Sequence, residues 1–269
     1  MNNSAPIGVF DSGIGGLTVV KKLQESLPDE RLVYFGDTAR VPYGSKSNST
    51  IIEYSLQDAA FLIKKNVKMI VVACNTASSV ALPAIREKFN IPVIGMIESG
   101  TDLALKTTKT GRIGVIGTYS TINNKAYSQK LLEVNPGIKV FEKACPLFVP
   151  LAEEGWTNHK ATKLIAEEYL EEIKTRDIDS LILGCTHYPI LADIIKEVVG
   201  NNVTLIDSGT AAALTVESLL RGMGLLAGTK LTEKHEYYVS DLPVKFKEIA
   251  GRFLGRSIEN VEKIDPELY

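Results

Sequence analysis

Short apolar runs alternate along this chain with longer segments whose apolar residues recur every three or four positions. Such alternation is typical of mainly parallel sheets covered by helices on both faces. The short runs predict strands over Ile7–Phe10, Arg31–Phe35, Lys68–Ala73, Pro92–Gly95, Ile113–Gly117, Ser180–Leu183, Val203–Ile206 and Tyr237–Ser240. The longer segments predict helices ending near Leu27 and over Thr50–Lys65, Ala77–Phe89, Asp102–Lys106, Ser120–Glu133, Asn158–Lys174, Pro189–Val199, Ala211–Met223 and Pro243–Leu254.

The predicted elements fall into two series that echo one another. The Ile-Gly-Val strand that begins at Ile7 has a counterpart that begins at Ile113, and the strand before Cys74 has a counterpart before Cys185. The interval between the two landmarks is similar in both series, and the polar run 106–112 lies between them. We interpret the series as two copies of one α/β plan.

The repeat predicts an α/β fold of two similar lobes, each a mainly parallel sheet flanked by helices. Residues 1–98 with 207–269 are assigned to the first lobe, and residues 99–206 to the second. In open parallel sheets, ligands bind beyond the carboxyl ends of the strands. Cys74 and Cys185 each stand after a strand and before a helix, so one cysteine from each lobe is expected in an active site between the lobes.

Composition and charge exclude several classes of protein. The 30 Lys and Arg nearly balance the 32 Asp and Glu, so no basic excess indicates nucleic-acid binding. The most apolar stretch, Met69–Cys74, is too short to cross a bilayer. Three dispersed cysteines form no disulfide framework, and no zinc motif is present. Because Met1–Phe10 lack the features of an export signal, we expect a cytoplasmic protein with reduced thiols.

Two cysteines have neighbours suited to acid–base chemistry. Cys74 stands at a predicted helix start beside Asn75, where a helix N-terminus stabilises a thiolate or a bound carboxylate. A lowered thiol pKa is therefore expected there. Cys185 lies two residues before His187, which can supply or relay a proton. A buried cysteine is otherwise a small apolar residue, and this interpretation is kept for Cys145.

Polar turns of the first half supply further candidates. The Asp-Ser-Gly-Ile-Gly-Gly turn that begins at Asp11 lets backbone amides approach an anion, but its glycine spacing matches neither a dinucleotide fingerprint nor a Walker loop. The polar loop 35–44 is expected to line the same rim, and its Arg40 is either a carboxylate clamp or a surface charge. In the second half, Glu153 is predicted near a helix start, either as a functional or as an exposed acid.

Together, these motifs resemble the glutamate racemase family within the aspartate/glutamate racemases. The matching segments occur in family order, and the similarity covers essentially the whole chain. Two cysteine motifs at these spacings, combined with the Asp-Ser-Gly turn, are specific to the family, although each motif alone is weak. The segments are 8–16 (GVFDSGIGG), 34–37 (YFGD) with 41–44 (VPYG), 73–78 (ACNTAS) and 183–189 (LGCTHYP).

The resemblance implies interconversion of L- and D-glutamate by two bases, without a cofactor or a metal. In the family, the cysteine that matches Cys74 acts on D-glutamate with the help of the residue matching Asp11. The cysteine that matches Cys185 acts on L-glutamate with the help of His187 and Glu153. Substrate contacts of the family correspond here to Asp11, Ser12, Tyr43, Gly44, Asn75, Thr76, Thr118, Thr121, Thr186 and His187, and Arg40 is not among them.

The same resemblance implies a biological setting. The expected role is to supply D-glutamate for bacterial peptidoglycan from the cytoplasm. The expected partners are the glutamate substrate and a second copy of the chain in a homodimer, with neither nucleic acid nor a membrane involved.

Other functions remain open on the sequence. Aspartate racemases, hydantoin racemases and arylmalonate decarboxylase share the two-lobed plan, and a few pocket residues would separate them. A non-catalytic two-lobed amino-acid-binding protein would need the anion-binding turns but not two strand-end cysteines. A Cys–His hydrolase would use one nucleophile and leave the second cysteine unexplained.

Overall fold

The computed structural model describes residues 3–228 and 234–269. Within these ranges the strands are β1 (Ile7–Asp11), β2 (Leu32–Gly36), β3 (Met69–Val72), β4 (Val93–Gly95), β5 (Arg112–Gly117), β6 (Lys139–Ala144), β7 (Ser180–Gly184), β8 (Thr204–Asp207), β9 (Glu236–Val239) and β10 (Glu262–Lys263). The helices are α1 (Leu17–Ser26), α2 (Asn48–Lys64), α3 (Asn75–Val80), α4 (Leu82–Lys88), α5 (Met96–Thr107), α6 (Tyr119–Asn123), α7 (Ala126–Val134), α8 (Phe148–Glu153), α9 (Lys160–Lys174), α10 (Ala192–Val199), α11 (Ser208–Gly222) and α12 (Pro243–Leu254).

The strands form two parallel sheets that share one plan. The first sheet has the order β10-β9-β2-β1-β3-β4, and the second has the order β6-β5-β7-β8. The run β2-β1-β3-β4 therefore repeats as β6-β5-β7-β8, which confirms the prediction of two similar α/β lobes. Because β9 and β10 join the first sheet, the chain returns to the first lobe after completing the second. The lobe boundaries at residues 98 and 206 stay a prediction.

The repeated strand order fixes where each lobe can bind a ligand. Each sheet has a switch point, between β1 and β3 in the first and between β5 and β7 in the second, where successive connections leave in opposite directions. Phe10 pairs with Val72 beside the first switch point, and Gly117 pairs with Gly184 beside the second. Cys74 follows the end of β3 after Ala73, and Cys185 follows the end of β7 directly.

An apolar core joins the two lobes behind these strand ends. Leu17 and Val20 of α1 are fully buried in the same cluster as Leu183 and Tyr188 of the second lobe. Removing these side chains from water favours the association of the lobes. In the described part of the chain, no helix is long and apolar enough to span a membrane.

Two helices predicted as continuous are each broken. The predicted helix Ala77–Phe89 is divided into α3 and α4 at Ala81, because Pro83 has no amide hydrogen for the preceding turn. The predicted helix Ser120–Glu133 is divided into α6 and α7 at Lys125, whose φ of 51° lies in the left-handed region. These breaks shorten the segments that begin at the strand ends.

Other predicted bounds were incomplete. The helix expected at 102–106 begins at Met96, directly after β4, and α8 was not predicted. Strand β6 was also missed, because its Lys-Val-Phe-Glu-Lys-Ala sequence carries charges that mark an exposed sheet edge. Since β6 completes the second sheet, the full extent of the repeat is visible only in the structure.

A buried ion pair stabilises the base of the first lobe. Lys68 Nζ lies 2.6 Å from Glu30 Oε2, and the side chains are 0% and 2% exposed. Lys68 Nζ also donates to the carbonyl oxygens of Asn3 and Leu225, each at 2.8 Å. The pair therefore joins the residue before β3 to segments distant in sequence, and loss of either charge would leave the other buried and unpaired.

We expect Lys68→Met to lower the free energy of unfolding by about 3–5 kcal/mol, because Glu30 would keep a buried charge without its cationic partner. Urea unfolding would measure this loss. The control is Lys22→Met, which removes the exposed pair with Glu25 and is expected to cost less than about 1 kcal/mol. Similar losses in the two variants would contradict the importance of the buried pair.

Candidate active site

Cys74 lies at the start of α3 and is almost fully buried. Its sulfur accepts the Ala77 amide hydrogen bond at 3.4 Å and lies 3.5 Å from the Ser12 hydroxyl oxygen. Burial, followed by the negative charge of Asp11, raises the pKa of Cys74 to about 12, although the hydrogen bonds with Ala77 and Ser12 oppose this shift. The expected lowering of this pKa was therefore wrong. The helix N-terminus does act on the sulfur, but loss of solvent outweighs it.

Cys185 has a cationic neighbour instead. Its sulfur lies 3.8 Å from His187 Nδ1, and His187 Nε2 lies 3.0 Å from Glu153 Oε1. Burial lowers the pKa of His187, but its hydrogen bonds to Cys185 and Glu153 outweigh burial and raise this pKa to about 10. The imidazole is therefore protonated at neutral pH.

Glu153 is the last residue of α8 rather than an exposed acid at a helix start. Burial raises the pKa of its carboxyl group, but the hydrogen bond and the charge of His187 lower this pKa by a larger amount. The net shift is therefore downward. Glu153 is ionised and stabilises the imidazolium through a charge-assisted hydrogen bond.

Asp11 lies at the end of β1, where its Oδ2 accepts the Gly13 amide hydrogen bond at 3.0 Å. Its Oδ1 is buried and has no hydrogen-bond partner among the described residues. Burial raises the pKa of Asp11, against the opposing effects of the His187 charge and of nearby backbone amides. A buried carboxylate oxygen without a donor is suited to accept a hydrogen bond from a ligand.

The two lobes touch closely beside these groups. A Cβ atom on Gly15 would lie 2.2 Å from Thr186 Oγ1 and 2.5 Å from His187 Nδ1, so no side chain can be placed there. The Thr18 hydroxyl donates to the Thr186 carbonyl oxygen at 2.9 Å. The turn after β1 is therefore fixed directly against the turn after β7.

Hydroxyl groups meet across the other side of the cleft. Thr76 Oγ1 lies 2.9 Å from Thr118 Oγ1 and 3.4 Å from Thr121 Oγ1. Beside them, a Cβ atom on Gly44 would lie 3.0 Å from Thr118 Cβ. The structure thus brings these four predicted residues together from both lobes.

Two residues that hold Asn75 were not predicted. The Tyr127 hydroxyl donates to Asn75 Oδ1 at 2.7 Å, and Asn75 Nδ2 donates to the Ser208 hydroxyl at 3.3 Å. Tyr127 lies within α7 and Ser208 begins α11, so neither residue is near Asn75 in the sequence. No local pattern marks either of them.

Arg40 is a clamp, but on the protein's own carboxylates. Its Nε donates to Asp37 Oδ2 at 2.6 Å and its Nη2 donates to Asp58 Oδ1 at 2.9 Å. The surface-charge interpretation is wrong, since the Arg40 side chain is only 11% exposed. Tyr43 is 1% exposed, and its hydroxyl lies against the same two carboxyl groups.

The site therefore combines two buried sulfurs from equivalent positions of two lobes, one beside a carboxylate and one beside an imidazolium. Such groups can remove and deliver a proton at a bound molecule. In the part of the chain that the structure describes, no group of three or more His, Cys, Asp or Glu is suited to hold a metal ion.

Comparisons with known proteins agree with this arrangement. The family model for Asp/Glu/Hydantoin racemase matches residues 7–216. A glutamate racemase from Chlorobaculum tepidum is 51% identical over 98% of this chain and 97% of its own length. The structure of glutamate racemase from Francisella tularensis in complex with D-glutamate has a TM-score of 0.93 and 42% identity, over 99% of this chain and 100% of that one.

A more distant structure shares the fold alone. An aspartate racemase from Picrophilus torridus has a TM-score of 0.59 and 19% identity, over 82% of this chain and 94% of its own. The repeated sheet order and the match that spans both strand-end cysteines lead to one conclusion: this chain belongs to the Asp/Glu/Hydantoin racemase family.

Proposed function

We propose that this protein is an isomerase that interconverts L- and D-glutamate through two cysteine bases. The observation that carries the proposal is the placement of Cys74 and Cys185 after β3 and β7, the equivalent strands of the two sheets. The charge of Cys185 contributes to the pKa of Cys74, so the two thiols act on one another electrostatically. Glutamate is favoured over aspartate because the glutamate racemases compared above are far more similar to this chain than the aspartate racemase is.

In the L-to-D direction, Cys185 is the base and Cys74 is the acid. The Cys185 thiolate takes the α-proton, and the electron pair of the broken C–H bond stays on the α-carbon. The Cys74 thiol then donates its proton to the opposite face, so Cys185 ends as a thiol and Cys74 as a thiolate. The D-to-L direction reverses each step. The high pKa of Cys74 favours its thiol form, which is the acid that this direction requires.

Polar groups around the sulfurs are proposed to hold the substrate. Asp11 Oδ1, which has no partner among the described residues, would accept a hydrogen bond from the substrate ammonium. Glutamate carboxylates need hydrogen-bond donors, and the cleft offers hydroxyl, amide and backbone N–H groups. These are contributed by Ser12, Tyr43, Gly44, Asn75, Thr76, Thr118, Thr121 and Thr186, with His187 as the cationic member of the set.

The cleft is closed in this structure. Cys74 is 5% exposed and Cys185 is 6% exposed, so both sulfurs are shielded from solvent. Closure over the substrate would exclude water and strengthen the electrostatic stabilisation of negative charge on the α-carbon.

The biological setting is proposed from the family resemblance. The product D-glutamate would serve peptidoglycan synthesis in a bacterial cytoplasm, and the chain would act as a homodimer. The two glutamate racemases compared above come from bacteria, which supports the first part of this proposal. Light scattering of the purified protein would test the homodimer, for which a single 29.3 kDa species would be the contrary result.

The reaction itself is tested with purified protein and L-glutamate in deuterium oxide, without pyridoxal phosphate. We expect optical rotation to decay to zero, with deuterium at the α-carbon mainly in the D-product at early times. Aspartate serves as the competing substrate. If folded protein produces neither change with glutamate, the proposal fails, and turnover of aspartate alone would change the substrate.

Single-cysteine variants test the two-base assignment. We expect Cys74→Ser and Cys185→Ser each to lower kcat by about 1,000-fold or more in both directions, because a hydroxyl is a much weaker acid than a thiol. Cys145→Ser is the matched control, since this buried cysteine bonds only to the Lys143 carbonyl oxygen among the described contacts of its sulfur. Near-normal turnover in either Cys74→Ser or Cys185→Ser would contradict the assignment.

The Glu153–His187 pair is tested by NMR titration of the three histidines. We expect His187 to titrate near 10 in the wild type and at least about one pH unit lower in Glu153→Gln, because the imidazolium would lose its anionic partner. His187→Gln identifies the signal. Glu154→Gln removes the adjacent carboxylate as a control, and an equal shift in both glutamate variants would rule out the specific pair.

A further inference from the structure

A buried charge cluster lies beneath the loop that carries Tyr43 and Gly44. Asp37 follows β2 and Asp58 lies in α2, and both residues are 0% exposed. Arg40 bonds to both carboxyl groups and also donates to Gln57. The Arg40 guanidinium carbon lies 4.1 Å from the centre of the Tyr54 ring, which covers it. Arg40 is therefore held on several sides and balances charge that solvent cannot reach.

The Tyr43 hydroxyl shows how this cluster is protonated. Its oxygen lies 2.5 Å from Asp37 Oδ2 and 3.0 Å from Asp58 Oδ2. A phenol has one hydrogen to donate, so two ionised carboxylates at these distances would leave one contact without a proton. Burial and the neighbouring Asp37 charge raise the pKa of Asp58 well above its ordinary range. One proton shared between the two carboxyl groups satisfies both contacts, and Arg40 neutralises the remaining charge.

The cluster acts on the cleft through the main chain of the loop. Because its hydroxyl is bonded within the cluster, Tyr43 is anchored by its side chain, which restrains the main chain of the loop beside it. The next residue, Gly44, packs against Thr118 of the second lobe so closely that a Cβ atom would contact the threonine side chain at 3.0 Å. Ser240 fixes the other end of the loop, since its hydroxyl donates to Asp37 Oδ1 at 2.9 Å and accepts from the Ala39 amide at 2.7 Å.

We propose that Arg40 is a positioning residue for the loop that carries Tyr43 and Gly44. By holding Asp37 and Asp58 together around the Tyr43 hydroxyl, Arg40 sets the place of the Tyr43–Gly44 main chain against Thr118. The inference rests on the proposed racemase function, in which this loop contacts glutamate. Arg40 makes no predicted substrate contact, and its proposed effect is on substrate affinity rather than on proton transfer.

Kinetics of Arg40→Met separate affinity from chemistry. We expect KM for both glutamate enantiomers to rise about 10-fold or more with kcat within about 3-fold, because the loop loses its anchor while both sulfurs keep their neighbours. The double variant Arg40→Met/Asp37→Asn, which removes the unbalanced charge, is expected to recover most of this loss. Arg86→Met is the matched control, because Arg86 forms an exposed pair with Glu98 outside this loop.

Two further variants test the protonation of Asp58. Asp58→Asn retains the hydrogen-bonding shape of a protonated carboxyl group, so its KM is expected to stay well below that of Asp58→Leu. An unchanged KM in Arg40→Met, or no recovery in the double variant, would overturn the proposal.

Hydrogen exchange of the whole protein gives a readout that does not depend on racemisation. Arg40→Met is expected to accelerate amide exchange in residues 38–46 relative to both the wild type and Arg86→Met. If the wild type fails to racemise glutamate but this acceleration occurs, only the proposed function fails. If exchange in the loop is unchanged, the positioning role of Arg40 is wrong.

Discussion

The close approach of two turns from different lobes is the constraint on which the site depends. Because Gly15 has no side chain, Thr186 and His187 can occupy the space beside it. A Cβ atom at Gly15 would lie only 2.2 Å from Thr186 Oγ1. The apolar core behind the cleft favours association of the lobes, but it does not by itself set their register. The contact at Gly15 sets the relative position of the two lobes. It also brings Asp11 close enough to His187 for their charges to interact.

This close contact also removes water, and burial then acts differently on the two sulfurs. Burial and Asp11 keep the proton on Cys74. Burial also disfavours an imidazolium, yet His187 stays protonated because Cys185 and Glu153 both bond to it. A charged group is stable in a closed site only where partners replace its solvation. The partners supplied by each lobe therefore decide which sulfur starts as the thiol.

Candidate functional residues were predictable from the sequence where they lie together in one contiguous segment. The strand ends, the Asp-Ser-Gly turn and the two cysteine motifs are contiguous, and the structure brings them together between the sheets. Strand β6 was missed because its charged residues suit an exposed edge, and α3 was merged with α4 because the periodicity continues across Pro83. The predicted sign of the Cys74 pKa shift was wrong because burial of the sulfur, which depends on residues distant in the sequence, outweighs the local helix N-terminus. Arg40 was left ambiguous because Asp58, which decides its role, lies in another element.

In the proposed reaction, the repeated fold supplies two sulfurs at equivalent positions. The different ionisable groups beside them distinguish one sulfur from the other. Two enantiomers have equal free energies in solution, so every active variant must have equal kcat/KM in the two directions. Inversion at the α-carbon nevertheless requires that one sulfur lacks a proton while the other carries one. Identical surroundings would not choose between the sulfurs, whereas Asp11 beside Cys74 and His187 beside Cys185 make that choice. The different surroundings of the two sulfurs can change the individual values of kcat and KM in each direction. They cannot favour one enantiomer at equilibrium.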